Sequence, residues 1–174
     1  MKFYFLKPDK SSQPEMLDWY KQLPVRHLTP ESAHKIPRIT TIHTKLNYEM
    51  DFPDIISYPR FMFANRLKRI IDLYEPGLIM KHVALFDTKR IMGKVYCLPV
   101  LERVACLSSE SKLNLDKSVV IRAVLDRSKV KGKHLFAVAE VTNQYVVASL
   151  EVTESLLRRD VVDIELEEIE LGGG

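Results

Sequence analysis

Glycine is scarce inside this sequence, and that scarcity excludes one kind of site. Three of the six glycines, Gly77, Gly93 and Gly132, are isolated and far apart, and the other three close the chain at 172–174. Loops that cradle a phosphate need glycines close together, because the backbone has to approach the anion. The sequence therefore predicts no nucleotide cofactor. The closing glycines are compatible with a native tail or with a cloning remnant.

Cysteine and histidine are also few and scattered. Cys97 and Cys106 lie outside any CxxC pattern, so we expect two reduced core thiols. His27, His34 and His43 fall in a proline-interrupted region and show neither HxH nor HxxxH spacing. Metal sites need ligands at short spacings on one face. The sequence therefore predicts no metal site.

Long apolar runs are absent too. No stretch approaches the roughly 18 apolar residues of a membrane span, and the opening MKFYFLKPDKSSQPE turns polar too early for a signal peptide. The composition, 46% hydrophobic and 28% charged, is that of an ordinary globular protein, and a net charge of +3 is mild for a nucleic-acid module. We expect a cytoplasmic protein with neither a membrane nor a nucleic acid as its partner.

What is present predicts an α+β fold, with a mixed or antiparallel sheet and a few short helices. The length favours a single domain over 1–174. Within it, 1–59 would supply a strand, a helix and a wrapping segment, and 60–171 a β-rich core. Ser12, Pro14 and Glu15 have the spacing of a helix N-terminus, so we expect a helix that runs to Leu23.

The most informative pattern is an internal repeat. Segments 60–86 and 145–171 each read as strand, short helix and strand, with Asn65 and Ser149 as the expected helix caps. Four apolar positions recur at constant offset, which are Leu78, Met80, Val83 and Leu85 in the first copy and Ile164, Leu166, Ile169 and Leu171 in the second. Their irregular spacing predicts a shared β-bulge or bend, and we expect both units to pack against one sheet.

The repeat also predicts core side chains. The residues expected to be buried are Leu67, Ile71, Val83 and Leu85 in the first copy, and Val152, Leu156, Ile169 and Leu171 in the second. In RFMFANRLKR, the closest approach to a nucleic-acid motif, we expect Phe61 and Phe63 in the core and Arg66 on a solvated helix face.

No catalytic constellation stands out. ACLSSESK contains nucleophile types, from Cys106 to Ser111, without a recognisable base. Asp51 and Asp54, with His43 upstream, are the carboxylates nearest to a histidine, although aspartates in DFPD are typical of a turn. We therefore predict no catalytic residue and a protein that is not an enzyme.

Charge is distributed unevenly along the chain. The segment from Glu151 to Leu171 is strongly acidic, and Glu165, Glu167, Glu168 and Glu170 crowd the last expected strand. These four carboxylates are either a solvated strand face or a surface that binds a basic partner. We take them as the candidate partner-binding residues.

A family resemblance runs through most of the chain. It is carried by MKFYFLKPD, MLDWYKQL, DIISYPRFMFANRLKRIIDLYEPGLIMKHVALFD, YCLPVLERVACLSSESKLN and SLEVTESLLRRDVVDIELEEIEL. These segments resemble a family of small bacterial immunity proteins of polymorphic-toxin systems, whose members have a strand, a Ser-capped helix and a strand, sometimes twice. Ser149 matches the capping serine, whereas Ala64 departs from it in the first copy.

The resemblance implies a non-catalytic protein that binds and neutralises a cognate toxin protein in the cytoplasm. It implies no cofactor and carries no set of functional residues onto this chain. Two alternatives stay open, which are a general interaction or scaffold module and a small enzyme with a scattered site. A deep polar pocket with convergent titratable groups would favour the enzyme.

Overall fold

A computed structural model describes residues 1–8, 13–46 and 51–173. The chain divides into two compact units. The first, here called the terminal unit, comprises Met1–Lys7, Glu102–Asp160 and Glu165–Gly174; the second, the central unit, comprises Pro8–Leu101 and Val161–Ile164. The sequence predicted a single domain over 1–174 with 1–59 and 60–171 as its parts, and neither unit begins or ends at residue 59.

Short strands and shorter helices make up both units. The strands are β1 (Phe3–Pro8), β2 (Glu15–Met16), β3 (Ile39–Lys45), β4 (Ile55–Ile56), β5 (Met62–Ala64), β6 (Met80–Asp87), β7 (Met92–Pro99), β8 (Arg103–Val104), β9 (Lys112–Leu113), β10 (Val120–Arg122), β11 (Val124–Asp126), β12 (Leu135–Val138), β13 (Val146–Ser149) and β14 (Ile164–Gly172). The α-helices are α1 (Trp19–Gln22), α2 (Lys68–Tyr74), α3 (Arg127–Val130) and α4 (Leu150–Leu157). Turns of 3-10 helix occur at Val25–His27, Ala33–Lys35 and Asn65–Leu67. The α+β prediction is confirmed.

Each unit is built on a six-stranded sheet. The central sheet has the order β2-β3-β6-β7-β5-β4, and the terminal sheet has the order β11-β14-β1-β13-β12-β8. β9 and β10 form a separate two-stranded sheet in the terminal unit. The two predicted strand–helix–strand units therefore lie on different sheets, and the expectation that both would pack against one sheet was wrong.

The two sheets share five strand positions. Reading β3-β6-β7-β5-β4 beside β11-β14-β1-β13-β12, the first neighbours are parallel in both sheets (β3 with β6, β11 with β14). The strand before each helix pairs antiparallel with both of its neighbours, namely β5 with β7 and β4, and β13 with β1 and β12. The N-terminal strand β1 therefore occupies the place that β7 has in the central sheet.

Core side chains follow the same correspondence. When Ala64 is aligned with Ser149, the register places Tyr96 opposite the first and Phe3 opposite the second, and both rings are fully buried. The matched pairs that pack into the two cores are Ile42 and Leu125, Ile56 and Phe136, Met62 and Val147, Val83 and Ile169, Leu85 and Leu171, Tyr96 and Phe3, and Leu98 and Phe5. Such agreement in order, register and packing indicates an internal duplication.

Seven of the eight predicted core side chains are buried, and Leu171 is half-buried against the terminal core. Phe61 and Phe63 are buried as expected. The predicted bulge is absent from β6, which pairs with β7 without interruption from Met80 to Asp87. Leu78 precedes that strand, and Met80 lies on the face opposite Val83 because strand residues alternate.

Three local predictions differ from the structure. Glu15 and Met16 form a strand with Lys45 and Thr44 on β3, so the helix is only Trp19–Gln22; Ser12, the expected cap, lies outside the described residues. Asn65 opens a 3-10 turn and its side-chain oxygen accepts from the Cys97 thiol at 3.4 Å instead of capping. Ser149 does precede α4, but its hydroxyl makes no capping hydrogen bond and lies 3.1 Å from His134 Nδ1.

Candidate functional site

The four predicted partner-binding carboxylates share strand β14, and their side chains are exposed. Two of them are paired with lysines at the neighbouring strand β1. Lys2, just before that strand, has its Nζ 2.9 Å from Glu168, and Lys7, on the strand, pairs with Glu167. The remaining pair reaches a different strand, with Arg122 on β10 lying 2.6 Å from Glu170.

These ion pairs change the meaning of the acidic strand. Within the described ranges, only Glu165 of the four has no ion pair. Exposed pairs contribute about 0–1 kcal/mol each, so they do little for stability, but each cation cancels the charge beside it. The strand is consequently a nearly balanced, solvated face, and its role in binding a basic partner stays a prediction.

The carboxylates near a histidine are not brought together as a catalytic group. His43 and Asp51 are exposed, whereas Asp54 is 4% exposed. The Asp54 carboxylate accepts hydrogen bonds from Arg66 Nε at 3.0 Å, from Arg66 Nη2 at 2.5 Å and from Lys94 Nζ at 3.2 Å. None of them involves the other two residues.

Asp54 is the centre of a structural ion network. Burial by itself would raise the pKa of its carboxyl, but the hydrogen bonds from Arg66 and the charge of Lys94 outweigh it and hold the pKa below its ordinary value. Lys94 also donates to the Phe52 carbonyl at 3.0 Å, and the Tyr96 hydroxyl donates to the Pro53 carbonyl at 2.6 Å. These contacts therefore hold segment 52–54 against β7, and they disfavour protonation of the Asp54 carboxylate.

Both thiols are buried. Burial raises the pKa of Cys97 to about 11 and that of Cys106 to about 12. Thiolate is the reactive form, so neither residue is prepared as a nucleophile in the folded chain.

A cavity of about 470 Å³ in the central unit is lined partly by Lys45, Asp87, Lys89 and Arg90. The Asp87 carboxylate accepts from three backbone N–H groups, those of Leu46 (3.0 Å), Lys89 (2.9 Å) and Arg90 (3.2 Å). These bonds, with the Leu46 N–H first, lower the pKa of Asp87. Its oxygens therefore stabilise the turn after β6 and already accept hydrogen bonds from the backbone.

A surface cluster of aromatic side chains is the most distinctive feature of the central unit. It consists of Trp19, Tyr20, Tyr58 and Arg60 and is called the aromatic cluster below. The Arg60 guanidinium lies 4.8 Å from the Trp19 ring centroid, and the two tyrosines contact the same ring edge-on at 6.1 Å and 6.2 Å. Tyr20 is 56% exposed and Tyr58 is 71% exposed.

Backbone contacts hold this cluster in place. Arg60 Nε donates to the Leu23 carbonyl at 3.2 Å, at the end of α1, and its Nη1 donates to the Pro59 carbonyl at 2.7 Å. The guanidinium is thus fixed beneath the indole, while two phenol rings project into solvent. A rigid aromatic group of this kind loses little conformational freedom when it binds.

Sequence reasoning missed the aromatic cluster, because Trp19 and Tyr20 fall inside a predicted helix that is longer than the one that forms. The available signal was compositional, with WY and YPR in the proline-interrupted part of the chain.

A search of protein-family models finds none that matches the chain, and a search of curated proteins finds no match either. In the described part of the chain, no helix is long and apolar enough to cross a membrane. No group of three or more His, Cys, Asp or Glu side chains that could hold a metal ion occurs in residues 1–8, 13–46 and 51–173.

Proposed function

We propose that this chain is a non-catalytic binding protein of the immunity type, which neutralises a cognate toxin protein in the bacterial cytoplasm. Two things support this proposal. One is the resemblance of the sequence segments from MKFYFLKPD to the closing strand to bacterial immunity proteins. The other is the aromatic cluster, the single structural observation that carries the proposal.

The composition of the cluster is that of a binding hot spot. Tyrosine, tryptophan and arginine are the residues most enriched where a few side chains supply most of the affinity of an interface. Exposing large aromatic surface to water is unfavourable by about 25 cal/mol per Å². A partner that covers Tyr58 and Tyr20 would recover that free energy.

The test is co-expression and co-purification with the product of the adjacent gene. The intact chain should protect cells and form a stoichiometric complex with that product. Tyr58→Ala should weaken the complex by about tenfold or more while leaving the melting temperature almost unchanged, because the ring is mostly exposed. Leu157→Ala, which removes another half-exposed side chain in the terminal unit, is the matched control and should bind normally.

Other outcomes would redirect the proposal. A complex without protection would identify an interaction or scaffold module. Failure of the intact chain either to protect or to bind would overturn the immunity role, and equal binding by Tyr58→Ala and Leu157→Ala would remove the aromatic cluster from the interface.

A further inference from the structure

A positively charged segment continues directly from the aromatic cluster. Leu23, whose carbonyl accepts from Arg60, is followed by the 3-10 turn Val25–His27, and that turn packs against the second turn, Ala33–Lys35. The segment belongs to the central unit throughout. The aromatic cluster and the two turns are therefore neighbours along the chain, joined by the hydrogen bond from Arg60 to Leu23.

The charge of this segment is concentrated and unbalanced. Residues 18–38 contain the cations Lys21, Arg26, Lys35 and Arg38 against the carboxylates of Asp18 and Glu31, an excess of +2, and Asp18 lies 3.9 Å from Lys21. Arg26 and Lys35 are exposed and have no ion pair within the residues that the structure describes. This contrasts with β14, where three of the four carboxylates have a cation beside them.

The two turns bring their charges close together. Desolvation, and then the charges of Arg26, Lys35 and His34, lower the pKa of His27. The turns that carry Arg26 and Lys35 pack against each other, so the two cations lie on one part of the central unit.

We propose that the aromatic cluster, together with Arg26 and Lys35, receives an acidic patch of the partner protein. This rests on the proposed function and adds to it the chemistry of the partner. Carboxylates of the partner would face Arg26 and Lys35, and apolar groups beside them would cover Tyr58 and Tyr20. The charges would steer association, and the covered rings would supply most of the affinity.

The same residues fit a nucleic acid less well. Base stacking needs a free aromatic face. Arg60 lies over one face of Trp19 and Lys21 lies 5.7 Å from the Tyr20 ring centroid, which leaves Tyr58 as the most open ring of the cluster. The exposed carboxylates of Asp18 and Glu31 would repel a phosphate backbone. An acidic protein surface, with separated carboxylates among apolar groups, is better matched.

The first test needs no knowledge of the partner, because Trp19 is the single tryptophan of the chain. Short peptides that contain one leucine among glutamates are titrated in low salt while the tryptophan emission is followed, and lysine-rich counterparts serve as the comparison. The acidic peptide should change the emission saturably and more strongly than the basic one, and the response should be lost in Arg26→Glu/Lys35→Glu and at high salt. An equal response to both peptides, or none to the acidic one, would overturn the inference.

The second test uses the complex with the adjacent-gene product. Arg26→Glu/Lys35→Glu should lower the association rate constant by about tenfold in low salt, with little change in dissociation. Arg127→Glu/Lys131→Glu makes the same change in net charge at exposed positions of the terminal unit and should have a much smaller effect. If the two double variants bind alike while the wild-type complex forms, the acidic-partner inference fails and the proposed function stands.

Two further results would also overturn the inference. Slower association in Glu167→Lys/Glu168→Lys, with Arg26→Glu/Lys35→Glu unaffected, would return the interface to β14 and to a basic partner. Saturable binding of single-stranded or duplex DNA or RNA at physiological salt, abolished in Arg26→Glu/Lys35→Glu, would identify a nucleic acid as the ligand.

Discussion

At the scale of single residues, Asp54 is a buried charge of the central unit that two cations hold in place. Its carboxylate is 5% exposed, and its cationic partners lie far away in sequence, Arg66 in the turn before α2 and Lys94 on β7. Both cations are partly exposed, so water shares their solvation while the carboxylate depends on them. Loss of that negative charge would leave two donors directed at a weaker acceptor.

We therefore expect Asp54→Asn to lower the free energy of unfolding by about 1.5–3 kcal/mol at neutral pH. Since the folded-state pKa lies below the unfolded value near 4, the stabilisation is present above pH 4 and is lost as the pH falls through the folded pKa. Urea unfolding of wild type and variant at pH 7 and at successively lower pH measures the difference, which should shrink in acid.

Asp72→Asn is the control for that experiment. Asp72 pairs with Lys68 one helical turn away and is 39% exposed, so its loss should cost about 0.3–0.5 kcal/mol. An Asp54→Asn cost no larger than this, or one independent of pH, would contradict the network described here.

At the scale of elements, two helical segments show how buried side chains hold a short amphipathic helix in place. One is α2 with the 3-10 turn before it, and the other is α4. Leu67 and Ile71 face the interior of the central unit, at 0% and 3% exposure, and Val152 and Leu156 are equally buried in the terminal unit. Leu73, on the same helix as Ile71, is 75% exposed. Helices of this length gain their stability from packing and not from helix propensity.

Leu67→Ala should accordingly lower the free energy of unfolding by about 2–5 kcal/mol, because it removes methyl groups from a fully packed site. Leu73→Ala makes the same chemical change on the exposed side and should alter stability by no more than about 0.5 kcal/mol. Thermal or urea unfolding of both variants provides the comparison. Similar costs at the two positions would show that the 3-10 turn Asn65–Leu67 and α2 do not pack as described.

The elements that sequence could predict were those whose signal is local and periodic. The strand–helix–strand units were recognisable because each unit buries one of its faces. The same spacing of apolar residues therefore occurs twice in the sequence. The helix expected from Ser12 failed although its capping pattern was good, because Glu15 and Met16 pair with Lys45 and Thr44 on β3. Pairing with a strand so distant in the chain leaves no trace in the local pattern.

The candidate site was hidden for the same physical reason. Trp19 and Arg60 are distant in sequence, and their contact depends on the position of the Leu23 carbonyl. The acidic strand, by contrast, was visible as composition, but Lys2 and Lys7, which offset it, lie at the other end of the chain. Composition shows where charge lies along the chain and not which charges meet.

At the scale of the whole molecule, the two duplicated parts use their elements in the same chain order except for one strand. The central sheet uses β3, β4, β5, α2, β6 and then β7. The terminal sheet uses β11, β12, β13, α4 and β14 in the same order, but takes its last strand, β1, from the beginning of the chain. The terminal unit is thus a circularly permuted copy of the central arrangement.

This arrangement predicts that β1 can be supplied from the other end. The permutant begins after Pro8 and carries residues 1–8 behind Gly174, with a flexible linker between Gly174 and Met1. It should fold with a circular dichroism spectrum and a cooperative transition like those of the wild type. Deletion of residues 1–8 should abolish the transition, because Phe3 and Phe5 leave the terminal core. A permutant as poorly folded as the deletion would show that the position of β1 in the chain matters and not only its place in the sheet.

The position of β1 also determines when its sheet can form during protein synthesis. β1 leaves the ribosome long before its partner strand, since Phe3 pairs with Ser149, which follows it in the chain by 146 residues. At about 5–20 residues per second, the wait is on the order of 10 s, whereas β7 meets β6 as soon as the hairpin between them has emerged. During that interval β1 is a short apolar strand with an unpaired edge, the form of segment that chaperones hold and that aggregates when they do not. In the terminal unit, the strand that is made before the others is among the last to be protected.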